Sequence, residues 1–295
     1  MTVSAHIAAL ASAQCFFNLL FPVSLSANLL AIVNVSRGKC GLSKCVNRYM
    51  VGMAAADLLL VISYPLLTWT AWIYFPGSFR FITPVCRLCG WLIFASTATS
   101  VWLTVAFTFD RFVAICCEKL KTKHCTERTA AVDIGTVSGL ACLESVPWGF
   151  VYEPLVIMDS VPWYCVHTSS YKGAPSWAAF AMFHRILTPC VPFFLILLLN
   201  IRTVRKILAA RRARRARRGL RGRRNGENDK DREMENRRKS IVLLFSISAS
   251  FILCWITQQA FYIYQRISMS FVYYSVTDPR YLIEDISGML QILSS

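Results

Sequence analysis

The chain of 295 residues is 55% hydrophobic and only 16% charged, with a mean hydropathy of +0.46, more apolar surface than one water-soluble core can hide. Its net charge of +16, from 32 Lys and Arg against 16 Asp and Glu, would suit a nucleic-acid partner if it were spread over a face. Instead it is gathered into alternate loops: 17 basic residues between Arg202 and Lys239, four between Arg37 and Arg48, and four between Lys119 and Arg128. Composition and charge together exclude an ordinary soluble domain and predict a membrane protein without a nucleic-acid partner.

A spanning helix needs roughly 20 mostly apolar residues. Apolar runs predict spans over about 9–35, 48–74, 86–117, 129–152, 176–203 and 240–265. A seventh starts near Tyr281 and has 15 residues before Ser295, so it is expected to be incomplete, as in a fragment. No Lys or Arg lies in residues 1–8 ahead of the first run, which is expected to be an uncleaved span and not a signal peptide. Loops rich in Lys and Arg face the cytosol. That rule puts the loops after the first, third and fifth spans inside and the N-terminus outside. Asn34-Val35-Ser36 fits a glycosylation pattern but falls at the cytosolic end of the first span, so it is set aside.

Taken in order, the first span carries Asn28 and the second carries Asp57 after Ala54-Ala55-Ala56. A carboxylate in hydrocarbon is costly unless paired or hydrated, so Asp57 is expected to face the bundle interior, with the alanines allowing close helix approach. The alternative is a neutral, hydrogen-bonded Asp in a packing role. The third span opens at Cys86, holds Ser96, Thr97, Thr99, Ser100 and Thr104, and closes with Asp110-Arg111-Phe112. Charge inside a membrane-length helix points to function, the rival reading being an Arg that snorkels toward headgroups. Pro147 and Trp148 close the fourth span. The following loop, Tyr152 to Tyr171, holds Trp163, Cys165 and His167 and reads either as a lid or as interfacial anchoring. The fifth span sets His184 and Arg185 a turn above Pro189; Arg185 faces either a pocket or the interface along its stem.

Beyond the fifth span, Arg211 to Arg218 form a low-complexity basic run expected to continue the helix into the cytosol. There it would meet anionic lipid at about 1 kcal/mol per near-surface charge. Glu227, Asp229, Asp231, Glu233 and Glu235 then mark a solvated loop, and Arg237-Arg238-Lys239-Ser240 resembles a kinase site. Cys40, Cys45, Cys116, Cys117 and Cys125 fall on the reducing cytosolic side and fit no zinc spacing. No phosphate loop, paired-histidine helix or Ser-His-Asp set is present, so no enzyme is expected and no metal or other cofactor is required.

Asn28, Ala54-Ala55-Ala56-Asp57, Cys86 ahead of Arg111, Asp110-Arg111-Phe112, Pro189 and Cys254-Trp255 together resemble the rhodopsin-like, class A G-protein-coupled receptors. Ala54 to Leu58, Thr108 to Cys116, Ser145-Val146-Pro147-Trp148 and Ile241 to Phe245 are similar to the orphan branch typified by G-protein coupled receptor 139 and its fish relatives. The resemblance implies an all-α seven-transmembrane bundle in the plasma membrane, forming one domain over 1–295 with a basic third intracellular loop over 204–239. It implies a small-molecule or peptide ligand outside and a heterotrimeric G protein inside, reached through Asp110, Arg111 and Phe112.

It further implies a Cys86 to Cys165 disulfide, with Cys89 to Cys165 as the alternative. It implies a pocket of Phe94, Arg185, Trp255, Gln258 and Gly288, and a sodium site at Asn28, Asp57 and Ser100. Several positions depart from the family pattern. Ile93 stands where amine receptors carry Asp, which speaks against a biogenic amine. Gly90 and Gln258 stand where the 139 branch has an acid and a base. Thr257 replaces the usual Pro of the sixth span, leaving the hydrogen-bond ladder there complete. Arg237 stands where many relatives place an acid to hold the third-span Arg. A truncated, non-signalling receptor and a multi-helix transporter or channel are the alternative functions, the latter usually marked by inverted repeats.

Overall fold

A computed structural model describes residues 21–38, 43–70, 74–75, 77–117, 119–120, 125–220, 241–242, 244–253 and 255–256. Helix α1 is Phe21–Ser36. Helix α2, Lys44–Val61, begins where Ser43 Oγ accepts the Val46 amide at 3.4 Å, satisfying one of the helix's free first-turn donors. It then widens into a π-helix over Ile62–Thr70. Pro65, inside that stretch, has no N–H to give, which breaks the α-helical ladder and favours the wider turn. Thr68 Oγ1 donates back to the Ser63 carbonyl at 2.9 Å.

Helix α3, Thr83–Cys116, is the axis of the bundle. It starts with Pro84 in its first turn, where a missing N–H costs nothing. Its 34 residues span about 50 Å. Helix α4 is Glu127–Glu144, capped by Thr126 Oγ1, which accepts the Thr129 amide at 3.1 Å. After Ser145 the chain tightens into a 3-10 turn, Val146–Phe150, with Pro147 near its start.

The loop that follows is a β-hairpin. Strand β1, Tyr152–Met158, pairs antiparallel with β2, Val161–His167, in a register that sets Tyr152 opposite His167 and Pro154 opposite Cys165. Asp159 and Ser160 make the two-residue turn with positive φ of 49° and 62°, the combination that matches strand twist. A single helical turn, Ser169–Gly173, leads into helix α5. Helix α5 runs as α-helix over Pro175–Arg185, widens to π over Ile186–Cys190 around Pro189, and resumes over Val191–Leu220. Helix α6 is described over Leu244–Leu253.

Among the described residues, four stretches are long and apolar enough to cross a membrane: Lys44–Thr68, Thr83–Cys116, Glu127–Phe150 and Pro175–Ala210. Helices α1 and α6 are shorter apolar helices in the described part. The most apolar window of α3 is 67% buried and that of α4 only 17%, so α3 is wrapped by its neighbours while α4 lies at the rim. Three clusters bind the helices together. At the inner end Cys45, Val46 and Tyr49 of α2 meet Phe107 of α3, Ala130 of α4 and Leu244 of α6. Midway, Val101 and Val105 of α3 meet Ile196 of α5 with Phe251 and Trp255 of the sixth span. On the outer side Leu60 and Val61 of α2 pack with Phe21 and Leu25 of α1 and Ile93 of α3. The polar residues of α3, Ser96, Thr97, Thr99, Ser100 and Thr104, are all buried, as an interior helix of a membrane bundle requires.

Candidate functional site

The inner end of α3 carries a buried ion pair. Asp110 and Arg111 are both buried, 5% and 7% exposed. Arg111 Nε donates to Asp110 Oδ2 at 3.0 Å, and Nη2 donates to the same oxygen. The other carboxylate oxygen, Oδ1, accepts the Cys45 thiol from α2 at 3.3 Å. Both oxygens of Asp110 are therefore engaged, and the guanidinium also sits 5.9 Å from the centre of the Phe107 ring. Phe112, half-buried, lies next to Phe109 with ring centres 6.5 Å apart.

Two tethers close off this end from the α4 side. Tyr49 Oη donates to Asp133 Oδ2 at 2.7 Å, joining α2 to α4, while the Tyr49 ring meets Phe107 edge-on at 6.2 Å. Arg48 donates through Nε and Nη2 to Glu127 Oε1 at 3.0 and 2.5 Å. The first is shielded and strong for its kind. The second is exposed and adds little, about 0–1 kcal/mol. Arg237, the basic residue expected opposite Arg111, lies outside the described residues.

At mid-depth Asp57 is 2% exposed and lies beside Ser100 across the α2–α3 contact, while its Oδ1 has no hydrogen-bond partner among the described residues. An unpartnered carboxylate oxygen in so dry a place has the donor chemistry a small hard cation takes. The third expected residue is Asn28 on α1. Its Nδ2 donates to the Ser24 carbonyl one turn earlier on α1, at 3.1 Å. Of the three residues expected at a sodium site, Asp57 and Ser100 are neighbours across the α2–α3 contact, while the amide nitrogen of Asn28 bonds within its own helix.

The outer end is an aromatic cluster that fastens the hairpin to α3. Cys86 and Cys165 are joined, with Cα atoms 6.5 Å apart, and Cys89 is a buried free thiol. Backbone bridging of Ile82 to Trp163, Thr83 Oγ1 to the Pro162 carbonyl at 3.3 Å, and Arg87 Nε to the Tyr152 carbonyl at 2.9 Å hold the strands along the first turns of α3. Arg80 adds a hydrogen bond to Thr68 Oγ1 at 3.1 Å and another to the Cys86 sulfur at 3.3 Å. The Tyr152 ring lies so close over Gly90 that a Cβ there would stand 2.9 Å from Tyr152 Cε2. Burial pushes the Tyr152 phenol above its ordinary value, the Arg80 charge working against it.

The expected pocket residues are divided between two places. Phe94 stacks on Trp148, ring centres 3.9 Å apart and planes at 11°, at the seam of α3, α4 and α5. Trp255 belongs to the cluster at Val101 and Val105, about two helical turns deeper along α3. Stacking on a neighbour that closes α4 draws Phe94 sideways, away from the sixth span. Arg185, half-buried, is the last residue of the α-helical part of α5. Gln258, Gly288 and Thr257 lie outside the described residues.

Sequence reasoning singled out His184 but missed its acid partner at this seam, the partly buried Glu144. His184 Nδ1 and Glu144 Oε1 are 2.6 Å apart, with side chains 7% and 17% exposed. The His184 ring meets both Phe94 and Trp148 edge-on, each at 5.3 Å. The rule that singled out Asp57, an ionisable residue inside a membrane span, applies equally to Glu144 and Asp133 and would have found both.

With a buried Asp-Arg pair inside, a lone mid-depth carboxylate and a disulfide-fastened outer hairpin, the arrangement is that of a multi-pass membrane receptor. Residues 27–287 match the family described as 7 transmembrane receptor (rhodopsin family), and the chain belongs to it. The family is a seven-helix bundle of membrane receptors, not of enzymes. Similar proteins include G-protein coupled receptor 182 of Mus musculus, 26% identical over 256 residues, covering 83% of this chain and 55% of that one. Apelin receptor A of Danio rerio is 27% identical over 131 residues, 44% and 35% of the two chains. Galanin receptor type 2 of Mus musculus is 29% identical over 138 residues, 47% and 36%. The chain therefore spans between about a third and just over half the length of these relatives.

Proposed function

We propose that the chain is a G-protein-coupled receptor that takes a small-molecule or peptide ligand in its outer half and activates a heterotrimeric G protein through Arg111. The observation that carries this reading is the Asp110–Arg111 pair, buried at the inner mouth of α3 with Cys45 occupying the second carboxylate oxygen. Arg111 held in this way is withdrawn. Removing one member of a buried pair costs about 3–5 kcal/mol because the other charge is left uncompensated, so the guanidinium leaves Asp110 only for acceptors of similar strength. The carbonyl-rich end of a G-protein helix supplies such acceptors, and the fork of five donors suits them. Phe112, in place of the commoner Tyr, leaves the charge pair intact.

The ligand's part is to favour the arrangement in which that exchange is cheap. It shifts the balance only by its difference in affinity for the two arrangements. Phe94, Arg185, Trp255, Gln258 and Gly288 are its proposed contacts. The two places occupied by Phe94 and Trp255 suit a ligand that reaches from the outer seam toward the sixth span. Two of the similar receptors are named for the ligands apelin and galanin.

Asp57 and Ser100 would hold a sodium ion that favours the resting arrangement. The basic continuation of α5 toward Leu220 would meet anionic lipid on the cytosolic side, with the N-terminus outside the cell. From the Ala54–Leu58 and Thr108–Cys116 phrases we infer a place near the orphan 139 branch of the family. The deciding experiment is Arg111→Ala in cells. Surface expression is expected to stay near that of the parent while guanine-nucleotide exchange is lost. Exchange at the parent level in that variant would end this reading.

A further inference from the structure

We propose that the Glu144–His184 contact is a tether that holds the outer half of α5 against α4 and thereby keeps the wide turn at Ile186–Cys190 in place. Its consequence for signalling rests on the function proposed above, but the tether itself does not. The contact links the last residue of α4 to the last turn of the outer α-helical part of α5, at 2.6 Å. Glu144 is further held by Ser145 Oγ, which donates to Oε2 at 3.4 Å, and Ser145 is fully buried. The imidazole is clamped between its acid partner and two rings, Phe94 and Trp148, that are themselves stacked. Phe180, one turn before His184, adds a third ring 5.3 Å from Trp148.

Directly below the tether the helix is at its least self-sufficient. The π turn contains Pro189, which offers no amide hydrogen, and Thr188, whose buried Oγ1 has no partner among the described residues. Below that turn Ile196 anchors the inner half of α5 to Val101, Val105 and Phe251. Among the described residues, contacts above and below thus hold α5 with a widened turn between them. A widened turn carries one residue more than an α-helical turn, so closing it would rotate everything on one side of it relative to the other. The upper fixing point is the polar one. In hydrocarbon a hydrogen bond between ionisable groups is directional and either made or lost, whereas the apolar anchor below slides by degrees.

Deuterium exchange of the amides of residues 186–190 in the purified, detergent-solubilised chain tests the tether. Glu144→Leu and His184→Phe are each expected to raise exchange there about three- to tenfold, the range for a lost hydrogen bond between membrane helices. The double variant should rise no further than the larger single, since both remove one contact. Glu144→Gln keeps an acceptor of the same reach and should stay near the parent. It also carries the test should Glu144→Leu fail to accumulate, because exchange at the parent level with Gln and a rise in His184→Phe is the tether's signature. Unchanged exchange in both Glu144→Leu and His184→Phe, or effects that multiply in the double variant, overturns the proposal. Guanine-nucleotide exchange measured on the same proteins separates the two claims. Its absence in parent and variants alike counts against the proposed function, while the tether continues to stand or fall by the amides of residues 186–190.

Discussion

Gly90→Ala puts the packing of the outer hairpin to a quantitative test. A methyl group at position 90 would stand 2.9 Å from Tyr152 Cε2, against ordinary contact that starts at 3.4 Å, so the ring must retreat by at least the difference, 0.5 Å. The ring is not free to do so. Its other neighbour is His167, ring centres 5.1 Å apart; the Tyr152 carbonyl is held by Arg87, and the strand opposite is fastened through Cys165. Overpacking of this kind costs about 1–3 kcal/mol. In a helix the same substitution otherwise gains about 0.5–1 kcal/mol by stiffening the backbone.

The net effect in the parent protein is a loss of about 1 kcal/mol, the difference between those two terms. With Tyr152→Ala already in place the clash is gone, and Gly90→Ala should then stabilise by the helix term alone. The buried thiols of Cys45 and Cys89 make a thiol-reactive fluorophore a direct reporter of thermal unfolding in detergent. The midpoint should fall for Gly90→Ala in the parent and rise for the same change in Tyr152→Ala. An equal shift of the same sign in both backgrounds refutes the reasoning, because it would mean that Tyr152 does not set the cost.

Cys86→Ser and Cys165→Ser should each lower the same midpoint by equal amounts, with the double variant no worse than either. Additive losses would show that the two sulfurs act separately. Asp57→Asn should abolish any dependence of the midpoint on sodium against choline while leaving the Gly90 behaviour unchanged. Sodium dependence that survives the substitution would remove the ion from the Asp57–Ser100 pair.

The spans were legible because hydropathy alone places a helix in a bilayer. The buried pair at Asp110 and Arg111 was legible for a related reason: charge inside a span is costly enough to be worth noticing wherever it occurs. What escaped is what depends on distance in space. Glu144 and His184 are 40 residues apart and Gly90 and Tyr152 are 62 apart, and no periodicity links either pair. Pro65 and Pro189 announce a disturbed helix, but whether it kinks or widens is decided by the neighbours, here in favour of π turns. The outer loop reads as aromatic and lightly charged. Its folding into paired strands rests on Asp159 and Ser160 accepting positive φ, which neither residue type demands. Phe94 could be assigned to the pocket side of α3 only by analogy, and the stacking on Trp148 that actually orients it comes from the end of α4.

The pairs Tyr49–Asp133 and Arg48–Glu127 act on the same two helices at successive positions of α2, one shielded and one in water. Together with Cys45 on Asp110 they cross-brace this end of α2, α3 and α4 into a chassis. Among the described residues, Leu244 of α6 meets this chassis through apolar contact. On the function proposed above, the coupling surface would then open on one flank, like a door hung on a rigid post, and not widen evenly around its rim.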